Sequence, residues 1–239
     1  MAEYSGADDV LRRLQDHLLR SAAAQPGQSV GGGGRVLSPF GAELLAGVQP
    51  PTSPRRPRRE QEATLRVRVD LAEAKPPIWR RLELSSSLYL DELHEVLQEA
   101  FDWDDSHLHR FAVGSTFDPR TEAYLCPFDE DEGEPGVPTR EVRLDELLVE
   151  PGDRLDYVYD FGDGWEHVIK LEAVLDRAAD DPWVRCTGGR RAAPPEDCGG
   201  MWGYDEALAE GMPEAPFSVQ ELDEDLQDWE PSVRDRRDR

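Results

Sequence analysis

The sequence predicts an α+β fold, in which a single domain contains a twisted, mostly antiparallel or mixed sheet with helices packed on it. Two observations predict this class: apolar residues alternate with polar ones in several short segments, and they recur at helical spacing in others. A third observation, a segment rich in glycine, proline and arginine, predicts that a disordered linker precedes the domain.

The N-terminal region differs in composition from the rest of the chain. Leucines at helical spacing predict a short amphipathic helix within residues 1–24. Residues 25–63 include "QPGQSVGGGG" and "PPTSPRRPRRE", which bury too little apolar surface to offset chain entropy, so they predict the linker. The arginines of residues 55–59 are a candidate contact for an acidic partner or nucleic acid, although a solvated linker is the favoured interpretation.

The folded domain is predicted for residues 64–212. "TLRVRVDL" alternates cleanly and predicts a strand, and "IWRRLEL", which follows a proline pair, predicts a second. An apolar stripe predicts a helix over residues 88–101, "HLHRFAV" predicts a third strand, and "FDEDEGEPGVP" an acidic loop. Residues 144–148 are expected to form a helical turn, and residues 213–239 an acidic C-terminal helix with a charged tail.

The segment "YVYDFGDGWEHVIKLEAVL" contains the Asp-Phe-Gly letters that bind magnesium in protein kinases. Two alternating runs surround its Gly-Asp-Gly sequence, which predicts a β-hairpin. A kinase mechanism also requires a catalytic loop, a lysine strand and a glycine-rich phosphate cover, and the sequence shows none of these motifs. The three letters are therefore interpreted as a coincidence.

Histidines and aspartates near this hairpin are candidate metal ligands: His107, His109, Asp160, Asp163 and His167. The first two are two residues apart in a predicted strand and would share one face, while the aspartates flank the turn. Imidazole and carboxylate donors suit a divalent metal ion, so such an ion is kept as a candidate cofactor. The favoured interpretation is structural, because no high-specificity ligand spacing is present and His167 falls on an apolar face.

The stretch "RCTGGRRAAPPEDCGGMWGY" predicts a rigid, shaped loop that leads into a short helix at residues 204–210. Its glycines allow close backbone approach and its prolines stiffen the chain between them. Free backbone N–H groups, helped by arginines, could bind an anion or a carboxylate, whereas the alternative is a structural wrap against the sheet. The candidate ligand- or partner-binding residues are Arg190, Arg191, Glu196, Asp197, Gly199, Gly200 and Tyr204.

Four motifs, "PPIWRRLEL", "HLHRF", "YVYDFGDGWEH" and "PPEDCGGMWGY", make residues 64–210 resemble the plasmid pRiA4b ORF-3-like domain family. The resemblance implies one α+β domain found mainly in bacteria, on plasmids and chromosomes and beside mobile elements. Some members are labelled insertion-element passenger or resolvase-like proteins, so the resemblance implies a fold rather than a reaction. Ala193 stands where relatives commonly have Cys, which weakens a cysteine metal site, and Met201 where they commonly have Pro.

Composition excludes several functional classes. The formal net charge is −24, and residues 64–239 carry 44 acidic against 19 basic side chains, a field that opposes direct contact with nucleic acid or anionic lipid. No apolar run is long enough for a membrane span, and no signal peptide is visible. Three scattered cysteines do not make a disulfide framework, so a cytoplasmic location is expected.

Three functional hypotheses follow. The favoured one is a non-catalytic module that binds an unknown protein or small-molecule ligand through the rigid loop and the hairpin turn. The second is a divalent-metal-dependent hydrolase or nuclease that uses the histidines and aspartates. The third is an accessory protein in DNA transposition or recombination, suggested by the family resemblance alone. No catalytic residue is assigned, because nothing in the sequence places a base beside a nucleophile.

Overall fold

The alternating segments pair into one eight-stranded sheet. In this computed structural model, residues 53–118 and 120–227 are described. The strands are β1 (Ala63–Leu71), β2 (Trp79–Ser85), β3 (His109–Ala112), β4 (Ala123–Leu125), β5 (Val137–Pro138), β6 (Arg154–Tyr159), β7 (Trp165–Asp176) and β8 (Val184–Arg190). The helices are α1 (Leu90–Phe101), α2 (Pro127–Asp131), α3 (Leu144–Leu147), α4 (Gly200–Ala209) and α5 (219–227).

The strand order across the sheet is β5-β4-β3-β6-β7-β1-β2-β8. All neighbours are antiparallel except β4 and β5, which are parallel. The predicted α+β class with a mixed sheet is therefore confirmed. The hairpin predicted around the Asp-Phe-Gly letters is formed by β6 and β7, in which Tyr157 pairs with His167 and Tyr159 with Trp165.

The two faces of the sheet differ in polarity. In β1 the residues of one face, Leu65, Val67, Val69 and Leu71, are buried, as the alternation predicts. On the other face, ion pairs join side chains of different strands: Arg66 of β1 lies 2.7 Å from Glu83 of β2, and Arg81 of β2 lies 2.7 Å from Glu172 of β7, across β1. One face thus builds the core, and the other is partly exposed and charged.

Helix α1 covers the core face. It begins where the Glu92 carboxylate accepts the Tyr89 N–H at 2.9 Å, and it ends at Asp102, whose φ of 57° turns the chain out of the helix. The ring of Phe101 meets that of His167 on β7, with centroids 4.6 Å apart. The loop after α1 therefore lies at the end of the sheet where the hairpin turns.

Several elements differ from the sequence prediction. The predicted acidic loop contains α2 and β5, because a proline at the first helical position and acidic residues in the first turn favour a helix start. The rigid loop begins later than predicted, since residues 188–190 extend β8, and the helix that follows it begins at Gly200. Gly188 and Gly189 pair with β2, so these two glycines belong to the sheet and not to the loop.

The arginines of residues 55–59 contact the domain. Arg56 lies 2.6 Å from Asp153, Arg58 lies 3.5 Å from Glu146, and Arg59 donates to the carbonyl of Val149 at 2.6 Å. Glu146 lies in α3 and Asp153 directly precedes β6, so this end of the predicted linker is attached to the domain by ion pairs. The helix predicted within residues 1–24, most of the linker and the end of the C-terminal tail lie outside the described residues.

A buried arginine ties the edge of the sheet to α1. Arg80 is only 2% exposed and has no carboxylate partner in the described part of the chain. Its guanidinium donates to the carbonyls of Ala100 at 2.7 Å and Arg191 at 2.8 Å, and it lies 3.8 Å from the centre of the Phe217 ring. Burial lowers the pKa of Arg80 to about 10, so it remains charged at neutral pH and needs these acceptors.

No helix among the described residues is long and apolar enough to cross a membrane.

Replacing Arg80 tests this anchor. Arg80→Met keeps the aliphatic stem but removes the donors, so the carbonyls of Ala100 and Arg191 lose their partners, and we expect a loss of about 2–4 kcal/mol in unfolding free energy. Urea denaturation measures the change. The matched control is Arg154→Met, because this residue is exposed at the start of β6 and should change stability by about 0.5 kcal/mol or less. An equal, small change in both variants would contradict the anchoring role.

Candidate functional site

Three loops meet at the end of the sheet where the hairpin turns: residues 103–107, which lead from α1 towards β3, the turn 160–164, and residues 194–200, which lead from β8 to α4. Together they are called the carboxylate site. Contacts join all three loops, although residues in contact lie as many as 92 positions apart along the chain.

Aromatic side chains fix the first loop to the third. The indole N–H of Trp103 donates to the Pro194 carbonyl at 2.9 Å, and its ring stacks on Tyr159 with centroids 5.3 Å apart. The Tyr159 hydroxyl donates to Glu196 at 2.5 Å and accepts the Ser106 N–H at 2.9 Å. Burial, followed by the hydrogen bond to Glu196, raises the pKa of Tyr159 to about 12, so the hydroxyl keeps its proton.

Glycines let the third loop approach the hairpin turn. The Gly199 N–H donates to the Asp163 carboxylate at 3.0 Å, so this backbone donor is already occupied. Gly200 has a φ of 67°, and a Cβ there would lie 2.4 Å from the Asp163 carbonyl oxygen. Only glycine fits this approach, since the contact is with backbone and the dihedral angle is left-handed. The third loop is therefore held against the turn by Asp163.

A histidine and two aspartates meet at the centre of the site. The Nε2 of His107 lies 3.1 Å from an Asp197 carboxylate oxygen and 3.8 Å from an Asp160 carboxylate oxygen. This nitrogen is buried and has no hydrogen bond. Asp160 also accepts the Gly162 N–H at 2.8 Å through its other oxygen, which fixes the side chain within the turn. The three donor atoms lie within 4.8 Å of one another.

The carboxylate site is strongly negative. In the described structure, none of its carboxylates forms an ion pair with lysine or arginine. The basic side chains beside them are histidines: His94 contacts Asp105, and His107 lies beside Asp160 and Asp197. The acidic residues of the three loops are Asp104, Asp105, Asp160, Asp163, Glu196 and Asp197. Carboxylates gathered without a basic partner create a local potential that attracts cations.

A second group of possible metal donors lies beneath the site, in the core. His94 of α1 stacks on His109 of β3, with ring centroids 3.5 Å apart and planes at 16°. His94 hydrogen bonds to Asp105 at 2.7 Å and to the Tyr157 hydroxyl at 2.9 Å. Burial, and then the neighbouring His94, lower the pKa of His109 well below its usual value. The nitrogen lone pairs of stacked rings point in parallel rather than towards one ion, so this arrangement favours packing over metal binding.

The structure separates the five predicted metal ligands into different environments. His107 and Asp160 come together, and Asp163 binds the Gly199 N–H beside them. His109 lies in the stacked pair, and His167 lies in the core, where its Nδ1 donates to the Trp165 carbonyl at 3.0 Å. Strand β3 begins at His109, so His107 precedes the strand and does not share its face.

The loop residues predicted to bind a ligand also divide. Glu196 and Asp197 belong to the carboxylate site, whereas Tyr204 is buried in α4. Arg191 pairs with Glu214 at 2.9 Å and donates to the Pro76 carbonyl, so it stabilises the loop from outside. Arg190 is the exposed last residue of β8. The arginines therefore do not face the carboxylates of the site.

Sequence reasoning missed His94, Gln98, Trp103, Asp105 and Tyr159 as parts of this region. A signal for His94 was present, because it lies four residues after Leu90 and three before Leu97 on the apolar stripe of α1. Polar residues on such a stripe need a buried partner, and here Tyr157 provides one for both His94 and Gln98. No local signal exists for Trp103 and Tyr159, because their partners Pro194 and Glu196 are distant in sequence, whereas Asp105 contacts His94 and Gln98 of the preceding helix.

A model of the plasmid pRiA4b ORF-3-like protein family matches residues 63–237. The chain belongs to this family. The match extends beyond residue 210, where the recognised motifs end, so α5 is part of the family domain. The family therefore includes the whole described domain from β1 onward.

Two relatives place the chain within the family. It is 36% identical over 146 residues to the uncharacterized protein y4hQ of Sinorhizobium fredii, a match that covers 60% of this chain and 71% of the relative. It is also similar to the crystal structure of MM3350, a protein of unknown function from Methanosarcina mazei Go1. That match has 28% identity and a TM-score of 0.57, and it covers 67% of this chain and 97% of the other. These similarities support the fold.

The buried histidine His167 predicts a specific dependence of stability on pH. Burial lowers the pKa of His167 to about 3, whereas an unfolded imidazole has a pKa of about 6.5. Between these values the unfolded state binds the extra proton, so acidification destabilises the fold. We expect wild type to lose stability more steeply than His167→Asn, by up to about 1.4 kcal/mol per pH unit. Asparagine keeps a donor for the Trp165 carbonyl. Urea denaturation from pH 7 to pH 4 gives both slopes, and equal slopes would contradict the assignment.

Proposed function

We propose that the domain is a non-catalytic binding module whose ligand carries a positively charged group, bound at the carboxylate site. The observation that supports this proposal is the gathering of six carboxylates without a lysine or arginine partner among the described residues. A cation is the ligand charge that relieves their mutual repulsion.

Several acidic residues elsewhere in the domain form ion pairs with arginines. Glu83 is paired with Arg66, Glu172 with Arg81, and the fully buried Asp145 lies 2.6 Å from Arg143. The carboxylate site differs from this pattern although the domain has arginines to spare, such as the exposed Arg190. The contrast favours a site shaped for a cation from outside the chain over a general excess of acid.

The site is also preorganised. Asp160 is fixed by the turn, Asp163 by Gly199, and Glu196 by the Tyr159 hydroxyl and the Asp104 N–H. Carboxylates held in place by their surroundings lose little entropy when a ligand binds, so the binding free energy is not spent on ordering them. An exposed aromatic residue follows the third loop, since Trp202 of α4 is 76% exposed. Indole faces attract organic cations, which supports an ammonium or guanidinium group as the ligand.

The absence of catalysis is part of the proposal. Tyr159 keeps its proton and gives it in a hydrogen bond to Glu196, and burial raises the pKa of the Cys198 thiol. Neither group is therefore an activated nucleophile at neutral pH. Burial likewise raises the pKa of the Cys186 thiol, which lies on β8 beside Asp223 rather than in the site.

Binding of a basic peptide tests the proposal. With a chelator present to remove metal ions, we expect a lysine- and arginine-rich peptide to bind full-length protein with an affinity that falls as salt rises. Asp197→Asn should weaken binding about threefold to tenfold, which corresponds to about 0.7–1.4 kcal/mol. Calorimetric titration measures both affinities.

The control for this titration is Asp205→Asn, because it removes one exposed carboxylate from α4, outside the three loops. This variant should bind the peptide as wild type does. Equal weakening by the two substitutions would show attraction to the general acidic surface, and would contradict the carboxylate site as the binding site. Failure of the wild-type protein to bind the peptide would count against an organic cation as the ligand.

A metal-dependent hydrolase is the second candidate, favoured by the meeting of His107, Asp160 and Asp197. Three protein donors leave coordination positions for water and substrate, as in catalytic metal sites. The test is hydrolysis of bis(p-nitrophenyl) phosphate with added Mn²⁺. A binding module gives wild-type and His107→Gln proteins the same background rate, whereas turnover that disappears in the variant would establish the hydrolase instead.

A further inference from the structure

We propose that His107, Asp160 and Asp197 bind a divalent ion of the first transition row, through one imidazole nitrogen and two carboxylate oxygens. This inference rests on the proposed function, because it names a chemical class for the cation that the carboxylate site attracts. It goes beyond charge alone, since it assigns three donor atoms and separates them from the other acidic groups nearby.

The separations between donors suit a metal ion. Metal–ligand bonds of about 2.1 Å place neighbouring donors about 3.0 Å apart in octahedral and about 3.4 Å apart in tetrahedral coordination. The His107 nitrogen lies 3.1 Å from the Asp197 oxygen and 3.8 Å from the Asp160 oxygen. A movement of a few tenths of an ångström by Asp160 would close the larger gap.

The environment of the His107 nitrogen gives a second, independent observation. Nε2 is buried and makes no hydrogen bond, although carboxylate oxygens of Asp160 and Asp197 lie beside it. An unprotonated nitrogen at this position would direct its lone pair at two carboxylates, and a positive centre between the three atoms would remove that repulsion. A metal ion provides such a centre and uses the lone pair directly.

The neighbouring carboxylates already have other partners. Glu196 accepts hydrogen bonds from Tyr159 and from the Asp104 N–H, and Asp163 accepts one from Gly199. These groups shape the loops and add negative potential, whereas Asp160 and Asp197 keep oxygens directed at His107. The three proposed donors come from the three different loops, so the ion would join all of them.

The donor set favours one class of metal. Imidazole nitrogen suits zinc, iron, nickel and copper, while carboxylates also suit manganese, so a mixed set selects a transition ion over Mg²⁺ or Ca²⁺. Three protein donors leave at least one position for water or for a donor group of the ligand. Cysteine is not part of the set, since the donor atoms that lie within 4.8 Å of one another here are those of His107, Asp160 and Asp197.

Direct titration tests this inference. Untagged, chelator-treated full-length protein is titrated with Mn²⁺ and Zn²⁺ by calorimetry, and free Mn²⁺ is followed by its electron paramagnetic resonance signal. We expect one equivalent of ion to bind wild type, and His107→Gln and Asp197→Asn each to weaken binding by tenfold or more. These two side chains are 28% and 76% exposed, so their replacement should leave the fold intact, as circular dichroism will show.

Asp104→Asn is the matched control, because it removes one carboxylate from the same site without removing a proposed donor. It should weaken metal binding by less than threefold. If Asp104→Asn and Asp197→Asn weaken it equally, the ion is attracted by charge alone, and the assignment of donors is overturned while the proposed function stands.

The remaining outcomes separate the two proposals. Wild-type protein that binds the basic peptide but no metal ion would overturn the metal site alone. Wild-type protein that binds neither probe would overturn both proposals. Metal binding without peptide binding would support the metal site and restrict the proposed cation to the ion itself.

Discussion

The site depends on the close approach of two backbones, residues 194–200 and the turn 160–164. Gly200 lies so near the Asp163 carbonyl that a Cβ would be 2.4 Å from its oxygen, and a Cβ on Gly203 would lie 1.9 Å from the Cys198 carbonyl oxygen. Glycine at these positions is therefore a requirement of packing rather than a source of flexibility. The start of the same loop is fixed far away, where Arg80 binds the Arg191 carbonyl. Because both ends of this segment are fixed, Asp197 lies beside His107.

Backbone geometry at the site is consistent with a functional role. Among the described residues, left-handed dihedral angles at positions other than glycine occur mostly at aspartates, and each of the three loops contains one: Asp105, Asp160 and Asp197, with φ of 54°, 52° and 55°. Aspartate tolerates this region because its side chain can bond to nearby backbone, as Asp160 does with Gly162. Left-handed backbone and carboxylates that have no lysine or arginine partner among the described residues thus occur together, as is common where a ligand later stabilises the arrangement.

Much of the fold was predictable because its signals are local. The alternation of β1 and of the hairpin, and the stripe of α1, depend on residues within one element, and the structure confirms them. The site was predictable only in part. His107 and Asp160 were identified by residue type, but their meeting with Asp197 depends on sheet order and on the Gly200 contact, neither of which has a local signature. Helix α2 was missed because its acidic composition resembles that of a loop.

The contrast between His107 and His109 shows how one strand boundary decides chemistry. Two residues apart within a strand, they would share a face and an environment. Because β3 begins at His109, strand pairing with Tyr159 turns that ring into the core, where burial keeps it neutral against His94. His107 precedes the first pair, so its ring is free to turn towards the loops and their carboxylates. His107, which lies outside the strand, is thus the histidine that can contact a ligand, whereas His109, which lies in the strand, packs in the core.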